Sequence, residues 1–324
     1  MKAIVAMRAG GPDVMQLAEC ARPAVGSGQA LVRIHYAGIN YVDLYYRSGV
    51  YPTESVPIPL GSEAAGTVEE TGEGVFEVKP GDRVAYATHI GSYAEYAAVP
   101  ADQLVQIPDG VDDRSAAGVL LQGMTAHYLT HSTYALQRGD VALIHAAAGG
   151  VGRLLVQMAK MRGASVIGTV STEAKARAAR GVGADYVINY AEIDFAAETW
   201  RLTDGRGAHV VYDSVGASTF DASLESLRAR GTLVSFGNAS GPVREFAPLL
   251  LSRKGSLYLT RPKLDDYVAS REELLWRAND VFSWLAQGKL RVTVDREYEL
   301  SDVSVAHRDL ESRRIAGKLL LRLL

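Results

Sequence analysis

The sequence predicts an α/β protein: a doubly wound parallel sheet accompanied by an irregular β-rich domain. Three observations carry that prediction. The first is the stretch His145-Ala146-Ala147-Ala148-Gly149-Gly150-Val151-Gly152, set between the apolar run 141–144 and a helix-like pattern at 154–160 that stops at Gly163. The second is the alternation of strand-like and helix-like segments from about residue 116 to residue 260. The third is the different rhythm before it, where short strand-like runs are punctuated by Gly10-Gly11-Pro12, Gly26-Ser27-Gly28 and Lys79-Pro80-Gly81-Asp82.

In chain order, 4–6, 30–34, 65–68 and 83–86 read as strands of the β-rich part. A helix is expected over about 115–134, leading into strand 141–144, the glycine turn and its helix. Strand 165–170 is followed by helix 174–180, strand 186–188 by a helix near 195–202, and strand 209–213 by helix 219–228. Strands 232–236 and 256–260 complete the series. Parallel strands joined by helices place a ligand at their carboxyl ends. Beyond them, Ser270-Arg271-Glu272-Glu273 forms a capping box before helix 274–286, with Gly288 as its left-handed terminator. Residues 317–321 read as a last strand packing back onto the β-rich part.

A chain of 324 residues exceeds what one core usually spans, and 48% hydrophobic with 22% charged residues is ordinary for a folded protein. The net charge of −3, without a dense Lys/Arg block, argues against a nucleic-acid or anionic-membrane surface. No apolar run nears the roughly 20 residues that span a bilayer, and charge enters the N-terminus too early for a signal segment. A soluble, cytoplasmic protein is expected. With one cysteine, Cys20, neither an internal disulfide nor a multi-cysteine zinc site can form.

A strand, a tight glycine turn and a helix N-terminus make an anion site, because backbone N–H groups and the helix dipole face a pyrophosphate. The spacing Ala147-x-Gly149-x-x-Gly152 is a dinucleotide-type turn with alanine first. NAD-binding folds put an acid at the end of the second strand. Here Thr169, Ser171 and Thr172 stand there instead, with Lys175 and Arg177 just beyond, a set suited to the 2′-phosphate of NADPH. The alternative is that Lys175 and Arg177 are plain helix-surface charges; Glu173 is read as a solvated early-helix residue rather than the ribose acid. His127 and His131 share a helix face but lack a third ligand, and His145 reads as hydrogen-bonded structure. Segments 212–216 and 236–241 fall at strand ends where a nicotinamide would lie, or are turns only. The tyrosine-dense stretch 38–52 offers aromatic faces to a flat substrate or to packing.

The stretches GINYVDLYYRSGVYP (38–52), GSEAAG (61–66), HAAAGGVG (145–152), GTVSTEAK (168–175), VINY (187–190), VVYDSVG (210–216), SFGNASGPV (235–243) and KGSLYLTRP (254–262) together resemble the zinc-free, zeta-crystallin-like quinone oxidoreductases of the medium-chain dehydrogenase/reductase superfamily. The resemblance covers essentially the whole chain. It implies a GroES-like catalytic domain at 1–122, completed by 262–324, around a Rossmann NADPH-binding domain at 123–261. Asn40 and Ser62 stand where zinc-dependent relatives carry Cys and His, so no metal is expected.

The resemblance also implies site residues. Asn40, Tyr41, Val42, Asp43 and Tyr45 would approach the nicotinamide side, with Thr125 and Tyr128 flanking the cofactor. Gly149, Gly150, Val151 and Gly152 would hold the pyrophosphate. Thr169, Ser171, Thr172, Lys175, Tyr190 and Arg313 would form the 2′-phosphate end, and Ser214, Val215, Phe236, Gly237 and Asn238 would line the nicotinamide. Asn40, Tyr45 and Tyr51 are the candidates for orienting a substrate oxygen, and no residue stands out as a general base. The implied reaction is hydride transfer from NADPH to a quinone in the interdomain cleft. The alternatives are an NADPH-dependent enone reductase and a non-catalytic nucleotide- or RNA-binding protein. A homodimer paired through strand 256–260 is implied as well. Gln122, where close relatives often carry lysine, and the ending 321–324 depart from the pattern.

Overall fold

The computed structural model describes Met1–Leu323; Leu324, part of the departing C-terminal stretch, lies outside the described residues. The chain forms two compact units, Met1–Gln122 with the segment from Val268 onward, and Gly123–Tyr267.

The first unit opens with the antiparallel pair β1 (Lys2–Ala6) and β2 (Met15–Glu19), then β3 (Gln29–Ile39). Helix α1 (Tyr41–Ser48), which sequence pattern does not disclose, leads to β4 (Glu63–Thr71), β5 (Arg83–Ala87), β6 (Tyr96–Pro100) and β7 (Val105–Gln106). Helix α2 (Asp113–Tyr128) begins here and ends in the second unit. It does not run on to 134: Leu129–Thr133 widen into a π-helical turn.

The second unit alternates β8 (Val141–Ile144), α3 (Gly150–Met161), β9 (Ser165–Val170), α4 (Glu173–Gly181), β10 (Tyr186–Asn189), α5 (Phe195–Leu202), β11 (Ala208–Asp213), α6 (Phe220–Glu225), β12 (Leu227–Ser235), α7 (Leu249–Arg253), β13 (Tyr258–Thr260) and α8 (Leu264–Tyr267). All its strands are parallel, in the order β10-β9-β8-β11-β12-β13. Connections leave β8 in opposite directions, which makes the ends of β8 and β11 the switch point where such sheets bind ligands. The core packs Leu143, Ile167, Val211 and Leu233 from successive strands against Phe195, Phe220 and Leu224 of the helices.

Two boundaries differ from sequence expectation. Helix α6 stops at Glu225 rather than 228, because Leu227 already pairs with Ala208 and starts β12. Strand β13 begins only at Tyr258, since Ser256 takes φ +56°. This unit also runs to Tyr267, beyond 261: the Tyr267 ring stacks on Tyr128 at 4.3 Å, and its hydroxyl accepts a hydrogen bond from Thr133 at 2.8 Å.

Back in the first unit, α9 (Arg271–Ala286) starts at its Ser270 cap, whose hydroxyl accepts from Glu273 N, and ends before Gly288 at φ +67°. Then come β14 (Val294–Glu299), α10 (Val303–Glu311) and β15 (Lys318–Arg322). The main sheet runs β14-β15-β3-β4-β5-β7, with β6 also paired to β3. The long β3 makes this possible by pairing β6 through 29–33 and β15 through 36–39.

Candidate cofactor and substrate site

In the second unit, β8 delivers the chain into a turn that only small residues permit. Ala146 sits at φ +50°, and a Cβ on Gly152 would collide with the Ala146 carbonyl and come within 2.9 Å of the Ala147 Cα. Gly149 caps α3 without a side-chain bond, and no acid occupies the first turn of that helix. The amides of Gly150, Val151 and Gly152 therefore form the positive end of a twelve-residue helix, with Gly150 and Val151 half-buried. Gly168 lets β9 approach, since its Cβ would lie 2.7 Å from that of Ala147. A cradle that side chains would fill fits the pyrophosphate of a dinucleotide.

Behind the turn lies a buried network. The Ser223 hydroxyl donates to Asp213 Oδ2 at 3.1 Å, so His145 Nε2–H donates to Ser223 at 2.9 Å and the bare Nδ1 accepts from Thr169 at 2.8 Å. Burial lowers the His145 pKa, opposed by the Asp213 charge. Asp213 also accepts from Val215 N at 2.7 Å, Gly216 N at 3.0 Å and the Thr219 hydroxyl at 2.7 Å. Thr169 is wholly buried, with its hydroxyl bonded to His145.

The loops after β11 and β12 are stitched together. Ser240 N donates to the Val215 carbonyl at 2.7 Å, Phe236 N to that of Asp213 at 2.8 Å, and a Cβ on Gly237 would strike the Ser214 backbone. This leaves Ser214, Val215, Phe236, Gly237 and Asn238 half-buried together at the carboxyl edge. At the end of β9, Thr172 caps α4 by accepting from Lys175 N at 3.3 Å, and Ser171 and Lys175 are half-buried. Glu173 pairs with Arg180 along the exposed helix at 2.9 Å. Tyr190 N bonds the Val170 carbonyl at 3.0 Å, which sets this exposed tyrosine beside the same strand end. Thr125 and Tyr128 are both buried on α2, Tyr128 beneath the Tyr267 ring.

In the first unit, α1 presents its tyrosines as a cluster. Ring centroids are 6.5 Å apart for Tyr41 and Tyr45, 5.1 Å for Tyr45 and Tyr51, and 5.7 Å for Tyr46 and Tyr51. Tyr41, Val42, Tyr45 and Tyr51 are all half-buried. Arg313 follows α10 in the left-handed region, φ +57°, and is exposed. Its charge opposes the rise that burial imposes on the Tyr41 pKa.

Residues 26–109 match the alcohol dehydrogenase GroES-like domain, and residues 150–263 match the zinc-binding dehydrogenase family. A quinone oxidoreductase of Pseudomonas aeruginosa is 44% identical, over 96% of this chain and 96% of the relative. The solved structure of Escherichia coli quinone oxidoreductase complexed with NADPH has a TM-score of 0.98 at 42% identity, covering 100% of both chains. A 2-haloacrylate reductase of a Burkholderia species is 39% identical over 98% of each chain. The chain belongs to the quinone oxidoreductase family. That family lies within the medium-chain dehydrogenase/reductases, and both parts of its fold, the GroES-like domain and the parallel nucleotide-binding sheet, are present here.

The two positions where zinc-dependent relatives of this family carry ligands are committed to hydrogen bonds. Ser62 donates to Asp43 Oδ1 at 2.8 Å. The Asn40 amide donates to Glu63 Oε2 at 2.9 Å and to the Gly38 carbonyl at 3.3 Å, while its oxygen accepts from Lys318 Nζ at 2.7 Å and Gln122 Nε2 at 3.3 Å. With both ends of its amide occupied, Asn40 anchors the start of α1. Asp43 is fully buried too, accepting from Asn40 N at 2.8 Å and Tyr93 Oη at 3.0 Å. Among the described residues, no group of three or more His, Cys, Asp or Glu is placed to hold a metal.

Sequence reasoning missed the partners. Lys318 and Glu63 form a wholly buried ion pair at 2.5 Å, and Leu121 N donates to the other Glu63 oxygen at 2.7 Å. Tyr93 connects Asp43 to His307 Nε2 at 3.1 Å; His307 Nδ1 accepts from Arg47 at 3.2 Å, and Arg47 pairs with Glu311. Burial pushes the Asp43 pKa up to about 6, while burial and the Arg47 charge push that of His307 down to about 3. The one local signal was a charge inside an otherwise buried strand, Glu63 before Ala64-Ala65 and Lys318 before Leu319-Leu320-Leu321.

Proposed function

We propose that this protein is an NADPH-dependent quinone reductase that works without zinc. The observation that carries the cofactor choice is the end of β9. There Ser171 and Lys175 are half-buried while Glu173, at the start of α4, is drawn away to Arg180. Bound NADPH supplies the hydride.

The chain's own residues bind and orient. Backbone amides of Gly150 and Val151 hold the pyrophosphate, and Ser171, Lys175 and Tyr190 take the 2′-phosphate. The loop carrying Val215, Phe236, Gly237 and Asn238 backs the nicotinamide, held in place by Asp213 beneath it. Tyr45 and Tyr51 give a flat ring aromatic faces to lie on. A quinone is a good acceptor, so positioning and partial exclusion of water do most of the work, and water supplies the proton.

Loss of NADPH absorbance with 1,4-benzoquinone, run beside NADH and with Lys175→Ala, tests the reading. Turnover should favour NADPH. Lys175→Ala should raise the NADPH KM roughly 10- to 100-fold, as expected for one charged hydrogen bond, and leave NADH unchanged. Equal use of both cofactors would overturn the phosphate assignment.

Similarity to a 2-haloacrylate reductase supports a second reading, reduction of activated alkenes. Faster turnover of 2-chloroacrylate or an enone than of any quinone would favour it. A homodimer joined through β13 is also proposed. This strand is the sheet edge and its Tyr258 is 62% exposed, a surface suited to pairing across a twofold axis. Sedimentation equilibrium should give twice the chain mass, and a monomer would exclude it. No helix of the described residues is long and apolar enough to cross a membrane.

A further inference from the structure

Arg261 directly follows β13 at the carboxyl edge of the parallel sheet. Thr260 pairs in register with Val234, which brings Arg261 beside the end of β12. Its Nη1 donates to the Ser235 carbonyl at 3.1 Å. With the Asn238 amide turned to serve both neighbours, Nη2 donates to Asn238 Oδ1 at 3.3 Å and Asn238 Nδ2 donates to the Gly237 carbonyl at 2.9 Å. Gly237 itself packs closely against the Ser214 backbone, so the guanidinium rests where the loops after β11 and β12 meet.

Two of the five guanidinium N–H donors are thus used, and the side chain is exposed. No carboxylate of the described residues forms an ion pair with it; nearby Asp266 pairs with Lys263 instead. A positioned, un-neutralised fork at a ligand-binding strand edge has a use if negative charge arises next to it.

Quinone reduction creates such a charge. Two electrons and one proton pass as hydride, leaving NADP⁺ and a hydroquinone monoanion, and water supplies the second proton. We propose that Arg261 is a catalytic residue whose remaining N–H donors bond the quinone oxygen on which this charge develops. The inference rests on the reductase reading above. Cofactor phosphates share the anionic chemistry, so the test must separate the two.

The experiment uses the full chain. Wild-type turnover of benzoquinone with NADPH is measured first, because its absence would count against the reductase reading and not against the anion site. Arg261→Met should then lower kcat/KM for the quinone about 100-fold, as loss of one oxyanion donor does. NADPH affinity, read from nicotinamide fluorescence, should fall far less than this, by no more than the loosening of the Asn238 loop causes. Millimolar guanidinium added to Arg261→Ala should restore part of the rate, which a structural role would not allow. Independently of turnover, binding of 4-nitrophenolate, a stand-in for the product anion, should weaken at least tenfold. Arg261→Lys keeps the charge without the fork and should fall between, which serves if the Met variant fails to fold. Unchanged kcat/KM and nitrophenolate binding would overturn the proposal, as would a loss confined to NADPH affinity.

Discussion

Beneath the tyrosines of α1, the first unit buries formal charges: Lys318 against Glu63, and Asp43 linked through Tyr93 and His307 to Arg47. Beneath the glycine turn, the second unit buries one carboxylate, Asp213, surrounded by hydroxyls, backbone amides and a neutral imidazole. Both sets are buried close to residues proposed for ligand binding. The difference lies in what happens when a partner is lost. Hydroxyls can turn to other partners, whereas a buried ammonium or carboxylate left alone has none. A buried ion pair adds little net stability while intact; the Lys318–Glu63 pair is better understood as a clamp on Asn40 and so on the start of α1.

The comparison can be broken with one substitution in each unit. Lys318→Met leaves Glu63 wholly buried without its cation and should cost about 3–5 kcal/mol, with Glu63→Met in the same chain recovering much of it. Asp213→Asn keeps an acceptor for Val215 N and Gly216 N, and the Thr219 and Ser223 hydroxyls can reorient, so about 1–2 kcal/mol is expected. Urea unfolding of the three variants measures both. If Asp213→Asn costs as much as Lys318→Met, the second network is as unforgiving as the first and the distinction fails.

The same contrast explains what was legible in the sequence. In the second unit β8, β9 and α5 fall on the residues that pattern alone indicates, because apolar runs and turn residues are local signals. The α6–β12 boundary was not, since Leu227 continues a helical spacing and only its pairing with Ala208 makes it strand. In the first unit the decisive contacts are distant: Asn40 meets Glu63 across 23 positions, Gln122 across 82 and Lys318 across 278. No spacing rule reaches that far. The four bonds of the Asn40 amide were therefore beyond any local pattern. Thr169 shows a shorter version of the same reach, its partner His145 lying 24 positions away.

Two of the buried histidines, His307 and His145, respond differently to pH. His307 is held neutral by burial and by Arg47, with its pKa pushed down to about 3, against about 6.5 in an unfolded chain. Between those values the unfolded chain carries the extra proton, so stability is lost as pH falls from about 6.5 toward 3. Asp43 acts oppositely. Burial raises its pKa to about 6, so the native state keeps a proton that an unfolded carboxyl releases near 3.9, and stability falls as pH rises from about 4 to 6. In wild type the two offset each other across that window. His307→Gln can still accept from Arg47 and donate to Tyr93, but it removes the first dependence and leaves the second. Relative to wild type, its unfolding free energy should rise on acidification from pH 6 to 4 by about one proton's worth, roughly 1.4 kcal/mol per pH unit. Urea unfolding at constant ionic strength across that range would show it; parallel curves for the two proteins would mean that His307 is not held neutral. His145→Gln should change the slope less. Burial also lowers the His145 pKa, but its charged neighbour is the Asp213 carboxylate, which favours the proton, where His307 faces a guanidinium, which repels it.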